Sequence, residues 1–140
     1  MGNSISSQKI NFEDMQSVIK KPEIYLLINT LPESEQNCLI PNTIAPVQEE
    51  TMINSFLQKR IKEIRIVVYG RNSNDDKIYE KYNQLIKLGF HNIFLYTGGL
   101  FEWLMLQDIY GFNEFPTTSK QLDFLKYKPK QVLNVGLLKY

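Results

Sequence analysis

Ile66-Val67-Val68-Tyr69-Gly70-Arg71-Asn72-Ser73-Asn74-Asp75-Asp76 is the stretch on which the reading of this chain turns. A β-branched triplet followed by an aromatic residue and a glycine is the pattern of a buried strand stopped by a turn, and it predicts a strand over 64–69. Residues Arg71 to Asp76 are all polar and form a loop. Beyond it Ile78, Tyr79, Tyr82, Leu85 and Ile86 recur at helical spacing, and Gly89 stops the pattern. A third strand is predicted from Phe90 to Tyr96, so strand, loop, helix and strand follow one another as in a βαβ unit.

The same alternation continues outward. Upstream, Ile24 to Asn29 is a short continuous apolar run and reads as a buried strand. Asn11 to Lys21 reads as a short amphipathic helix on Phe12, Met15, Val18 and Ile19, with Asn11 as its cap and Pro22 as its end. Leu31 to Gln48 contains three prolines and reads as loop, with a brief strand near Thr43-Ile44. Glu49 to Lys62 carries Met52, Ile53, Phe56, Leu57 and Ile61 and is expected to be a helix with acids at its start and bases at its end. Downstream of Gly98-Gly99 the apolar segment Leu100 to Tyr110 is a further helix, and Lys120 to Lys126 a last short one. Strands alternating with helices predict an α/β fold, a three-layer sandwich with a mostly parallel central sheet and helices on both faces.

Length and composition bound the rest. One hundred and forty residues suit one domain. Residues 1–10 are polar and read as a flexible leader, 11–118 as the domain, and 119–140 as a C-terminal helix and an apolar tail that packs on the domain or on a partner. A net charge of +1 argues against a strongly basic nucleic-acid binder, and the sequence shows no basic stripe to support one. The single cysteine, Cys38, excludes an internal disulfide, and with one histidine the chain offers no cysteine-rich or histidine-rich metal site. No metal or cofactor is expected. No apolar run approaches the roughly 20 residues that cross a bilayer, and the polar N-terminus is unlike a secretory signal, so a cytoplasmic location is expected. Abundant Asn, Ile and Lys suggest an AT-rich genome, such as that of a protist or a large DNA virus.

Five stretches together resemble the rhodanese-like domain, a sulfurtransferase fold related to the Cdc25 phosphatases. They are Tyr25-Leu26-Leu27-Ile28-Asn29-Thr30, Cys38-Leu39-Ile40-Pro41-Asn42-Thr43-Ile44, the strand and loop from Ile66 to Asp76, Leu88-Gly89-Phe90-His91-Asn92-Ile93, and Thr97-Gly98-Gly99-Leu100-Phe101-Glu102-Trp103. The last two are the most specific. The resemblance covers residues 12 to 117 and implies a small stand-alone module, similar to forms found in protists and large DNA viruses.

One position departs from the family. The loop of active rhodaneses begins with a cysteine whose thiolate carries the transferred sulfur, and here that place is Gly70, which has no nucleophile to offer. Gly70, Arg71, Asn72, Ser73, Asn74, Asp75 and Asp76 are therefore read as a degenerate active-site loop. Asp75 and Asp76 oppose an anionic ligand and Arg71 offsets them only in part. Two readings of the loop stand, a pocket filled by side chains, which is preferred, and a retained ligand-binding cleft. Cys38 belongs to the segment before Ile40-Pro41 and has no cationic neighbour in sequence, and the folded chain would have to carry it into the pocket for it to act.

Two further features bear on partners. Met1-Gly2-Asn3-Ser4-Ile5-Ser6 fits the N-myristoylation pattern, with Gly2 as the acceptor once Met1 is removed. One such chain is a marginal anchor of about 10⁴ M⁻¹, so a second contact is required. The helix from Leu100 to Tyr110 is apolar beyond one face, so it is either interior or interface. Phe101, Trp103, Leu104, Leu137 and Leu138 are the candidate interface residues. The expectation is a binding or structural module that acts without catalysis, held by a protein partner or a larger assembly such as a virion, with peripheral membrane contact through Gly2. The alternative is a sulfurtransferase or phosphatase-like enzyme with an atypical site.

Overall fold

The computed structural model describes residues 7–133. Four parallel strands, β1 (Gln8–Ile10), β2 (Tyr25–Asn29), β3 (Arg65–Tyr69) and β4 (Asn92–Tyr96), form one sheet in the order β1-β4-β3-β2. Four helices connect and cover them: α1 (Phe12–Ile19), α2 (Pro46–Gln58), α3 (Lys77–Lys87) and α4 (Gly99–Tyr110). The arrangement is the predicted α/β sandwich. Alternation along β2 and β3 sends Leu27, Val67 and Tyr69 to one face, where they meet Met15 and Val18 of α1 and Leu100, Trp103 and Leu104 of α4. Leu26, Ile28, Ile66 and Val68 point the other way, to Ile53 of α2 and Ile78, Tyr82 and Leu85 of α3. Both faces of the central strands are buried, which is why those strands read as unbroken apolar runs.

Local chemistry sets the helix ends. Asn11 accepts the backbone N–H of Asp14 and the Asp14 carboxylate accepts that of Asn11, a reciprocal capping box. Pro46 occupies the first turn of α2, which starts three residues before the expected Glu49, since proline lacks only an N–H that has no partner there. The brief strand expected near Thr43 is a single parallel bridge to Leu27.

Two expectations change. The leader was expected to be flexible through Ile10, yet Gln8–Ile10 pairs with β4 as an edge strand. Its Gln8 and Lys9 are exposed, so no alternation of hydrophobicity marks it, and a short charged edge also resists further pairing. The helix expected over Lys120–Lys126 is a 3₁₀ turn at Phe124–Tyr127. Seven residues are too few to nucleate a helix unaided, and Pro129 keeps Lys128 extended. Gly2, Leu137 and Leu138 lie outside the described residues.

Candidate functional site

The loop from Gly70 to Asp76 sits at the carboxyl end of β3, where open parallel sheets present their ligands. It is built around one side chain. The Asp75 carboxylate turns back into the loop and accepts the backbone N–H of Arg71 at 3.0 Å and the hydroxyl of Thr30 at 3.2 Å through Oδ2. Its Oδ1 accepts the N–H of Lys77 in the first turn of α3 at 3.0 Å. Two backbone amides and a hydroxyl thus converge on an anion, as in a backbone nest, and the anion is the chain's own. A Cβ on Gly70 would collide with Asp75 Oδ2 and would lie 2.8 Å from Thr30 Oγ1. A side chain at position 70 would therefore have to move the ends of the Asp75 and Thr30 side chains aside.

Two elements hold this loop. On its inner side Gly99 brings α4 against the loop backbone: the N–H groups of Leu100 and Phe101 donate to the carbonyls of Gly70 and Arg71 at 2.9 and 2.8 Å. Gly99 has φ +71°, and a Cβ there would meet Asn72 N at 2.8 Å, so the residue meets both a conformational and a steric demand. From β2, the buried Asn29 exchanges side-chain hydrogen bonds with Gln36, at 3.1 and 2.9 Å. Those bonds fix the 3₁₀ turn Glu33–Glu35, which presents Glu35 to the loop.

Arg71 faces away from the nest. Its Nε lies 3.0 Å from Glu35 Oε1, an Nη2 donates to the Lys126 carbonyl, and the guanidinium stands 5.5 Å from the centre of the Tyr127 ring. Asn72, which is buried, donates to the Tyr127 carbonyl at 2.8 Å and accepts from the N–H of Asn74. Ser73, Asn74 and Asp76 are exposed. Beside the loop a cleft of about 580 Å³ is lined by Thr30, Glu49, Lys77, Glu80 and Lys81, and Lys81 and Glu49 pair across it at 2.6 Å. Mixed charge of this kind leaves no focused field for an anion.

Cys38 is buried in the α1 and α4 layer, where its thiol donates to the Ser119 carbonyl at 3.3 Å. It shares that cluster with Tyr69, which precedes Gly70, and with Tyr127, which packs beside Arg71. Trp103 and Leu104, expected as interface candidates, are wholly interior: the Trp103 indole N–H donates to the Pro116 carbonyl and its ring packs edge-on against Phe115 and Tyr96. Phe101 is half-buried against Phe124. Among the described residues no group of three or more His, Cys, Asp or Glu could hold a metal ion, and no helix is long and apolar enough to cross a membrane.

Glu35, Phe124 and Tyr127 were not anticipated at the site. Their sequence signal is slight, the aromatic pair at 124 and 127 being spaced to share one side of a 3₁₀ turn. Asp75 was anticipated as a repellent charge, whereas its carboxylate is the occupant.

Residues 17–106, well over half of the chain, match the rhodanese-like domain family, and the chain belongs to that family. The fold is shared with the rhodanese-like domain of the Alr3790 protein from Anabaena sp. in solution, at a TM-score of 0.57 and 20% identity over 92% of this chain and 91% of that one. A crystal structure of the same Anabaena protein gives 0.55 at 23% identity, covering 77% of this chain and 89% of that one. The single-domain sulfurtransferase RDL2 of Saccharomyces cerevisiae gives 0.55 at 14% identity, covering 77% and 97%. No curated protein matches the sequence.

Proposed function

We propose that this rhodanese-like domain works by recognition, not by sulfur transfer. The observation that carries the reading is the occupancy of the loop: Gly70 has no side chain, and the Asp75 carboxylate takes the space beside it and two backbone amides, those of Arg71 and Lys77, that could otherwise face an anion. A thiolate at the head of the loop would meet a fixed negative charge. Cys38 does not replace it, being buried with its thiol on a backbone carbonyl. The module is placed at the cytosolic face of a membrane or within a larger assembly such as a virion, with Gly2 as the acceptor of a myristoyl chain and a protein partner supplying the second contact that one acyl chain needs.

Thiosulfate:cyanide sulfur transfer tests the first part. The expected result is no turnover above that of Cys38→Ser. Turnover that disappears in Cys38→Ser would make the protein a sulfurtransferase with an atypical thiol. Intact mass of the protein from its native source tests the second part, with a myristoyl adduct on the Gly2 peptide expected and a free amine there removing the membrane contact.

A further inference from the structure

The site already holds a peptide, and it belongs to the same chain. Phe124 and Tyr127 stand three residues apart in a 3₁₀ turn, the geometry that puts residues i and i+3 on one side. Phe124 packs against Phe101 of α4 with ring centres 6.1 Å apart, while Tyr127 is buried beside Arg71. The carbonyls of Lys126 and Tyr127 accept from the side chains of Arg71 and Asn72. Two aromatic anchors and two oriented backbone acceptors are the contacts by which a short peptide is recognised.

The attachment rests mainly on Tyr127, which is inserted into the core cluster of the α1 and α4 layer. Among the residues from Thr118 to Leu133, Tyr127 is the one buried side chain; Gln121, Phe124 and Pro129 are half-buried, and Leu122 is 86% and Leu125 54% exposed. A segment fixed by so few buried groups opens at low free-energy cost compared with the sheet beneath it.

We propose that the surface formed by Arg71, Asn72 and Phe101 is a docking site for a partner polypeptide carrying two aromatic side chains three residues apart, and that residues 120–133 are a strap occupying it in cis. The inference extends the recognition reading above, and a partner must displace the strap to bind. Leu125 and Lys126 face outward from the turn, so the two aromatic residues and the backbone carry the specificity.

The probe is a labelled synthetic peptide with the sequence of residues 121–130, titrated into the full chain. Because the cis strap competes, the wild-type chain is expected to bind it about tenfold more weakly, or worse, than Tyr127→Ala, in which the site is vacated. Phe124→Ala gives the same direction should the loss of the buried tyrosine unfold the domain. Adding Arg71→Ala or Phe101→Ala to the opened chain is expected to abolish binding, and Tyr127→Phe, which keeps the ring, to behave as wild type. Equal weak binding by the wild type and both opened chains overturns the proposal, as does binding indifferent to Arg71 and Phe101. A wild-type dimer that exchanges straps between copies would make the occupant a second copy of this chain and overturn the partner assignment. Sulfur-transfer turnover would instead refute the recognition reading while leaving the titration to decide the strap.

Discussion

At the level of single residues, the site is governed by one glycine and one aspartate. In the recognition reading proposed above, Gly70 offers no nucleophile and the Asp75 carboxylate turns into the space beside it. The strand and the glycine that ends it were legible in the sequence, as a β-branched run stopped at Gly70. The direction in which Asp75 points was not, since no spacing rule says that a loop carboxylate turns inward onto backbone amides four residues back and two residues on. Gly99 is the matching case on the other side. Its left-handed φ and its approach to the backbone of Asn72 predict that Gly99→Ala destabilises the domain by about 2 to 4 kcal/mol, from the cost of a Cβ in that conformation plus overpacking. Thermal or denaturant unfolding checks this.

Among the elements, the helices and strands built on periodic apolar residues were readable to within a few positions, because burial of a face and the spacing of that face are the same fact. Elements held mainly by backbone or by contacts distant in sequence were not. Strand β1 has only Ile10 as an apolar residue, and the turn at Phe124–Tyr127 takes its form from Arg71 and Asn72, more than 50 residues away in the chain. The all-round hydrophobicity of α4 left interior and interface open, and Trp103 and Leu104 resolve to the interior. Helix α1 carries a local prediction. Loss of its capping box in Asn11→Ala leaves the Asp14 N–H without its side-chain acceptor and should cost about 1 kcal/mol, read as a shift in the denaturation midpoint at unchanged slope.

Across the whole molecule, the two packed faces of the sheet bury phenols as well as hydrocarbon, and this makes stability fall in alkali. Burial raises the Tyr69 hydroxyl well above its ordinary range, although Thr43 and Ile40 bond to it, and raises Tyr96 further, with its donation to Glu102 adding to the effect. Tyr127 is pushed up to about 12, again chiefly by burial. In the unfolded chain such groups release their protons near pH 10. Above that pH the unfolded state holds fewer protons than the folded one, so unfolding becomes easier as pH rises, and this part of the stability is fully present below about pH 10. Unfolding free energy measured from pH 8 to 11 is expected to be flat and then to decline, with the tyrosinate signal assigned to Tyr69, Tyr96 and Tyr127 appearing in step with loss of structure. Tyrosinate forming early for all of these residues in a chain that stays folded would contradict their burial.

The measurement that bears most directly on the central claim is persulfide formation at a cysteine placed at position 70. Gly70→Cys and Gly70→Cys/Asp75→Gly, each in a Cys38→Ser background, are treated with thiosulfate and their intact masses recorded. The account predicts that the first stays unmodified, because the Asp75 carboxylate holds the space and the amides. In the second, with the nest vacated, the thiolate at position 70 attacks the outer sulfur of thiosulfate, the thiosulfate S–S bond breaks, sulfite leaves, and the chain gains one sulfur atom. Sulfur acquired equally by Gly70→Cys with Asp75 in place would mean that the carboxylate does not close the loop, and the claim of a self-occupied site would fail.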